Sequence, residues 1–109
     1  MAATQQNDSV FMHMVFFWIK DEAPSDIGQR MIDDCWNLLA SMPMVIDLQA
    51  GAPAGTPREV VDNSYHVGLI VKLQDKAAHD DYQVHENHQK FLNTYKDYWE
   101  KVVIYDVVQ

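Results

Sequence analysis

Residues 10–20 (VFMHMVFFWIK) form the most apolar segment of the chain, bounded by polar residues before it and by 21–24 (DEAP) after it. Branched and aromatic side chains at this density predict a strand. Alternate side chains of a strand point to opposite faces of a sheet. One face carries Phe11, His13, Val15, Phe17 and Ile19, and the other carries Met12, Met14, Phe16 and Trp18. Because both faces are apolar, we expect both to be covered.

A helix is predicted after this strand. Pro24 and Ser25 supply a start signal, with Ser25 as the N-cap, and Pro43 ends the element. Between them apolar residues recur three or four positions apart, as on one face of a helix. These residues are Ile27, Met31, Ile32, Cys35, Leu38, Leu39 and Met42.

Two further strands are predicted at residues 45–51 and 65–73, joined by a long loop at 52–64 (APAGTPREVVDNS). Loops of this length are uncommon in a small domain and are often functional or interfacial. In the second of these strands, alternation places Tyr65 on the same face as Val67 and Leu69, and His66 on the opposite face.

The last third of the chain predicts two short helices and a strand. Asp75 caps a helix that reaches about Val84, and His85 begins another. On the second helix one face carries Phe91, Leu92, Tyr95 and Trp99. Residues 101–108 (KVVIYDVV) are the final strand.

The resulting order, β-α-β-β-α-β, is typical of ferredoxin-like folds, which are α+β with a four-stranded antiparallel sheet. Helices cover one face of such a sheet. We therefore predict a homodimer in which a second copy covers the other face. The alternative is an open face with scattered exposed apolar residues.

The length and net charge of the chain exclude some classes of function and partner. At 109 residues the chain has room for one domain, predicted at 10–109 after a disordered polar tail at 1–9. A net charge of −8 argues against nucleic acid and anionic membranes as partners. The apolar run at 10–19 is too short to cross a bilayer, and no targeting signal is visible, so we expect a cytoplasmic protein.

RNA-recognition domains share the same element order and must be weighed. Their third strand interleaves aromatic and basic residues that stack on bases. Here that strand reads YHVGLIVKL and holds a single lysine. We predict no nucleic-acid binding.

Five segments resemble the stress-responsive α/β-barrel domain (Dabb, dimeric α/β barrel) family. They are residues 13–20 (HMVFFWIK), 42–51 (MPMVIDLQAG), 56–65 (TPREVVDNSY), 81–91 (DYQVHENHQKF) and 102–106 (VVIYD). The resemblance implies two ferredoxin-like subunits packed sheet against sheet. One departure is that residues 85–88 read HENH where the family usually has His-Pro-x-His.

The resemblance also implies a site. A plant aldol-type cyclase of this family has residues that correspond to His13, His66, Tyr82 and His88. Carried over, His88 is a general base and Tyr82 donates a hydrogen bond to a substrate carbonyl. His13 and His66 then line the pocket as ligand-binding residues.

Each of these assignments has a plainer alternative. His88 shares a face with Phe91 and so fits a packed histidine that donates one hydrogen bond to a backbone carbonyl. His85, also a candidate ligand-binding residue, fits a helix-start residue. Arg58 either binds a carboxylate or pins its loop.

We expect no metal and no cofactor. His79, His85 and His88 are close in sequence, but they have no cysteine partner and no His-Glu-x-x-His pattern. The predicted function is therefore a homodimer that binds a small hydrophobic ligand between helices and sheet. The alternative is a cofactor-free enzyme, a cyclase or monooxygenase-like, that uses Tyr82 and His88 on a carbonyl-bearing substrate.

Overall fold

The computed structural model describes residues 9–109. Its elements are β1 (Phe11–Ile19), α1 (Ile27–Asp34), β2 (Asp47–Gly51), β3 (Val67–Leu73), α2 (Lys76–Val84), α3 (Glu86–Tyr95) and β4 (Trp99–Val108). The predicted order is confirmed, and the second helix of the β-α-β-β-α-β order consists of two short helices, α2 and α3. Of the predicted tail at 1–9, only Ser9 lies within the described residues, and it is exposed. No helix within 9–109 has both the length and the apolar character needed to cross a membrane.

The four strands form one sheet in the order β2-β3-β1-β4, and every neighbouring pair is antiparallel. The register places His13 of β1 opposite Val71 of β3 and Asp106 of β4. Residues directly opposite one another share a face of the sheet. The register therefore sets Asp106 beside His13 although 93 residues separate them in sequence.

One face of the sheet is buried against the helices. From β1 it contributes Phe11, His13, Val15 and Phe17, and from β3 Val67, Leu69, Val71 and Leu73. The rings of Phe17 and Trp99 pack at a centroid distance of 4.7 Å. Burying each large apolar side chain contributes about 1.5–3 kcal/mol, and this face supplies about half of the buried core residues, with the helical segments supplying the rest.

Cys35 lies in this core. It begins a π-helical turn, Cys35–Leu39, that extends α1, and its side chain is fully buried. Burial raises the pKa of the thiol to about 12, so the group stays protonated. The residue is a small core side chain on the apolar helix face that the spacing predicted.

The opposite face, here called the open face, is apolar but only partly buried. Its side chains are Met12, Met14, Phe16, Trp18, Ile70, Val103, Tyr105 and Val107. Ile70 is 37% exposed and Tyr105 is 60% exposed. A contiguous apolar surface of this kind is typical of a protein–protein interface.

The structure corrects two predictions at the start of elements. Asp26, not Ser25, occupies the N-cap position of α1, and its side chain makes no capping hydrogen bond. Tyr65 precedes β3, and its ring packs edge-on against Phe16 at 5.0 Å, on the open face. It does not share the buried face of Val67, because regular alternation applies only once the strand has begun.

The predicted starts of the last two helices, at Asp75 and His85, are confirmed. The Asp75 side chain accepts a hydrogen bond from the Ala78 N–H at the start of α2. Nδ1 of His85 accepts one from the Asn87 N–H at the start of α3. Trp99 was predicted on that helix but is the first residue of β4, after a 3-10 turn. It still packs near Phe91, with centroids 6.2 Å apart.

Candidate functional site

A cavity of about 140 Å³ lies between the sheet and α3. Most of its wall is apolar: Val15, Phe17, Leu39, Leu69, Phe91, Leu92, Trp99, Val102 and Ile104. Three polar side chains complete the lining: His13, Gln83 and His88. We call this space the His88 cavity. Apolar walls with a few convergent polar groups are the usual form of a small-molecule site.

His13 is held by a carboxylate. Its Nδ1 lies 2.6 Å from Oδ1 of Asp106, while the ring is almost fully buried and Asp106 reaches solvent. Burial lowers the pKa of His13, and the hydrogen bond and charge of Asp106 oppose that effect without cancelling it. At neutral pH the ring is therefore uncharged, with Nδ1–H donating to the carboxylate.

His88 lies in α3 with its ring edge-on to Tyr82, at a centroid distance of 4.9 Å. Its Nδ1 is buried and makes no hydrogen bond of normal geometry. Burial lowers the pKa of His88, neighbouring His13 lowers it further, and the backbone carbonyl of Gln83 acts in the opposite direction. The structure thus presents a neutral, buried imidazole with an unsatisfied nitrogen beside an apolar cavity, a feature common in functional sites.

Tyr82 is buried in the same layer. Its ring lies 5.8 Å from that of His13, and burial raises the pKa of its hydroxyl well above the usual range. The hydroxyl is therefore neutral and able to donate a hydrogen bond. Tyr82 is not among the side chains that line the His88 cavity. Its role as a donor to a substrate carbonyl stays a prediction.

His66 lies away from these groups. It is exposed, and its Nδ1 accepts a hydrogen bond from the Ile19 N–H at 2.9 Å. It lines a separate groove of about 410 Å³ with Lys20 and Gly28, at the start of α1. The structure therefore brings His13 and His88 to one cavity and leaves His66 outside it.

Of the other two candidates, only His85 has a side chain with a structural role. His85 caps α3 through Nδ1, which fits the helix-start interpretation. Arg58 is exposed in the loop after β2, where its backbone forms a turn with Thr56 and Val61. Within residues 9–109 its guanidinium makes no hydrogen bond or ion pair, so neither interpretation of Arg58 gains support.

Three polar residues of this region were not among the predicted site residues, although His79 was weighed as a metal ligand and set aside. Asp106 stands on β4, and His79 and Gln83 stand one turn apart on α2. The amide nitrogen of Gln83 lies 3.4 Å from Nε2 of His13 and 3.3 Å from Nε2 of His79. The spacing of His79 and Gln83 on one helix face was readable from the sequence. Their proximity to His13 and Asp106 required the strand register.

Comparison with protein families gives one match: the profile described as Stress responsive A/B Barrel Domain (Dabb) covers residues 11–109. No protein with a curated sequence record matches significantly.

Solved structures share the fold. A dimeric ferredoxin-like protein of unknown function from Thermobifida fusca YX has a TM-score of 0.79 at 18% identity, covering 94% of this chain and 93% of that one. A Dabb family protein from Mesorhizobium loti MAFF303099 has a TM-score of 0.74 at 22% identity, covering 94% and 98%. A hydroxynitrile lyase from Passiflora edulis has a TM-score of 0.78 at 17% identity, covering 92% and 93%. At these identities the likeness shows the ferredoxin-like fold alone.

Proposed function

The chain belongs to the Stress responsive A/B Barrel Domain family, and we propose that it acts as a homodimer that binds a small hydrophobic ligand in the His88 cavity of each subunit. The observation that carries the proposal is the cavity itself, apolar over most of its wall and polar only at His13, Gln83 and His88. Apolar walls supply affinity, and a few fixed polar groups orient the ligand.

The volume of the cavity limits the size of the ligand. An apolar cavity of about 150 Å³ in another protein accommodates benzene. At about 140 Å³, the His88 cavity suits a molecule with a single ring or a short branched chain. A larger ligand would need to extend past Ile104, whose side chain is half exposed on β4.

The polar end of the cavity indicates which substituent the ligand carries. His13, Gln83 and His88 stand together at this end, and Nδ1 of His88 is enclosed by protein without a hydrogen bond of normal geometry. A ligand hydroxyl or carbonyl can bond to the three polar side chains of the lining, and the amide of Gln83 can donate to a carbonyl. We therefore propose a small aromatic or aliphatic compound that bears one hydroxyl or carbonyl group.

Filling the cavity tests this proposal. Ile104→Trp places a large side chain at the wall of the cavity. It does not overpack the buried core, because position 104 is half exposed. Small aromatic alcohols and aldehydes are screened by ligand-observed NMR, and hits are measured by calorimetry. We expect Ile104→Trp to weaken binding at least tenfold, since it removes the space that the ligand occupies.

The matched control is Val108→Trp, on the same strand and the same face but outside the lining. It should leave affinity unchanged. Equal affinity for wild type and Ile104→Trp would place the ligand elsewhere on the protein.

The dimer is supported by the open face, which carries Phe16, Ile70 and Tyr105 without a covering layer of helices. Neighbours of this fold from Thermobifida fusca and Jannaschia are described as dimeric. Stacking the open faces of two copies would bury this surface on both, which a 109-residue chain has few other ways to do.

A cofactor-free enzyme is the second candidate, favoured by the two neutral histidines that share one cavity. The His13–Asp106 pair resembles the carboxylate-oriented imidazoles that transfer protons in catalysis. The hydroxynitrile lyase from Passiflora edulis is an enzyme with this fold. In this proposal His88 removes a proton from a carbonyl-bearing or hydroxyl-bearing substrate. Tyr82, which packs against His88 outside the cavity lining, must turn toward the cavity to donate to the oxygen that gains charge.

Turnover of small aldehydes, ketones and hydroxynitriles, followed by chromatography, tests the enzyme. His88→Asn should lower kcat/KM about 100-fold to 10,000-fold, which is the usual contribution of a positioned base. Tyr82→Phe should lower it by a smaller factor. An activity that both variants retain would arise from another part of the protein.

A further inference from the structure

The Nε2 atoms of two histidines from different elements lie close to the same side-chain amide. His13 stands on β1 and His79 on α2, with ring centroids 4.9 Å apart. Nε2 of each lies 3.3–3.4 Å from the same atom, the amide nitrogen of Gln83. These separations are longer than a good N–H···N hydrogen bond, so the amide holds the position only weakly.

The carboxylates nearby determine which nitrogen of each ring is free. Nδ1 of His13 donates to Asp106 at 2.6 Å, and Nδ1 of His79 lies 3.2 Å from Oδ1 of Asp80. Each Nδ1 therefore carries the hydrogen, and each Nε2 presents its lone pair. An imidazole whose second nitrogen donates to a carboxylate is the usual form of a histidine that ligates a metal.

We propose that His13 and His79 bind a divalent transition-metal ion of the zinc, copper or nickel kind through their Nε2 atoms. Rotating the Gln83 amide by half a turn brings its oxygen to the place now held by nitrogen, and this oxygen becomes the third ligand. Neutral imidazoles suit these metals, and the remaining coordination positions are left for water or a ligand of the cavity.

Two further features support the site. Donor atoms of His13, His79 and Asp106 all lie within 4.8 Å of one another, so the two imidazoles and the carboxylate that orients His13 form one compact cluster. The group also reaches solvent, since Asp106 is exposed and the His79 side chain is 16% exposed. A metal can therefore enter without unfolding the domain. The site stands on its own geometry and does not require the proposed ligand.

Titration of the purified full chain with ZnCl₂ by calorimetry, and with CoCl₂ by visible absorption, tests the proposal. We expect one ion per chain and cobalt d–d bands of a site with nitrogen ligands. His79→Gln should weaken zinc binding at least tenfold. Asp106→Asn should weaken it about 10-fold to 100-fold, because it removes the carboxylate that orients His13.

Gln83→Glu provides the decisive variant because it exchanges the weak amide ligand for a carboxylate at the same position. It should tighten zinc binding at least tenfold, an effect that a merely structural role of Gln83 does not explain. His66→Gln, in a histidine outside the cluster, is the matched control and should bind as wild type does. Circular dichroism of each metal-free variant verifies the fold.

The proposal is overturned if wild type binds no zinc stoichiometrically, or if His79→Gln binds it as tightly as wild type. It is likewise overturned if Gln83→Glu fails to tighten binding. Ile104→Trp separates this site from the proposed ligand cavity. That variant should lose the organic ligand and keep the metal.

Discussion

Ile70→Lys is expected to convert the protein from a dimer to a monomer. Ile70 lies on the open face of β3 and is 37% exposed in the single subunit, so a lysine there is tolerated by the isolated chain. In a sheet-to-sheet dimer the same ammonium would be buried without a partner, at a penalty of several kcal/mol per subunit. Sedimentation equilibrium should give about twice the chain mass of 12.6 kDa for wild type and the single mass for the variant.

Val84→Lys is the control for this experiment. Val84 is 74% exposed on α2, away from the open face, and replacing it removes a comparable apolar side chain. It should remain dimeric. If wild type is a stably folded monomer, or if Ile70→Lys dimerises as strongly as wild type, the open face is not the interface.

His88→Leu is expected to stabilise the fold while weakening ligand binding. The buried Nδ1 of His88 makes no hydrogen bond of normal geometry, and leucine removes that polar atom. The free energy of unfolding should rise by about 1–3 kcal/mol, the desolvation penalty of one unpaired polar group. Urea unfolding at neutral pH measures the change. A gain in stability with a loss of binding is the usual signature of a functional residue.

His85→Leu is a control on the same helix, because His85 is a histidine with a clear structural role. Removing its cap of the Asn87 N–H should lower stability by about 0.5–2 kcal/mol. A similar loss in His88→Leu would mean that His88 is a hydrogen-bonded core residue.

Lowering the pH should enlarge the difference in the free energy of unfolding between wild type and His88→Leu. The pKa of His88 is lowered in the fold from its usual value of 6.5, so below pH 6.5 the unfolded chain binds a proton that the folded chain resists. The contribution of His88 to the free energy of unfolding is therefore fully present above pH 6.5 and is lost as the pH drops toward the folded pKa. The slope from this histidine is up to about 1.4 kcal/mol per pH unit. Urea unfolding between pH 7.5 and 5 should show this slope in wild type and a shallower one in the variant.

The elements were readable from local patterns. Residues 10–20 predicted β1 within one residue at each end, because branched and aromatic side chains in alternation have few other stable arrangements. Asp75 and His85 were predicted at helix starts and are found capping them. Local physics determines such features, since a cap bonds to a backbone N–H two or three residues away.

The site was predictable only in part. His13 and His88 were named as candidates and share a cavity, whereas His66, equally named, lies in another groove. The difference arises at the start of β3, where Tyr65 and His66 precede the regular strand. There alternation no longer determines which side chain faces the helices.

By itself, the sequence determined the order of the elements, the two apolar faces of β1 and the family resemblance. All three depend on residues near one another in the chain or on a pattern repeated along it. The tertiary structure alone decided which face the helices cover, and hence that His13 and His88 line one cavity. It also decided that Asp106 and Gln83 meet His13, from 93 and 70 residues away. Such contacts follow from strand register and helix packing, which depend on the balance of burial over the whole domain.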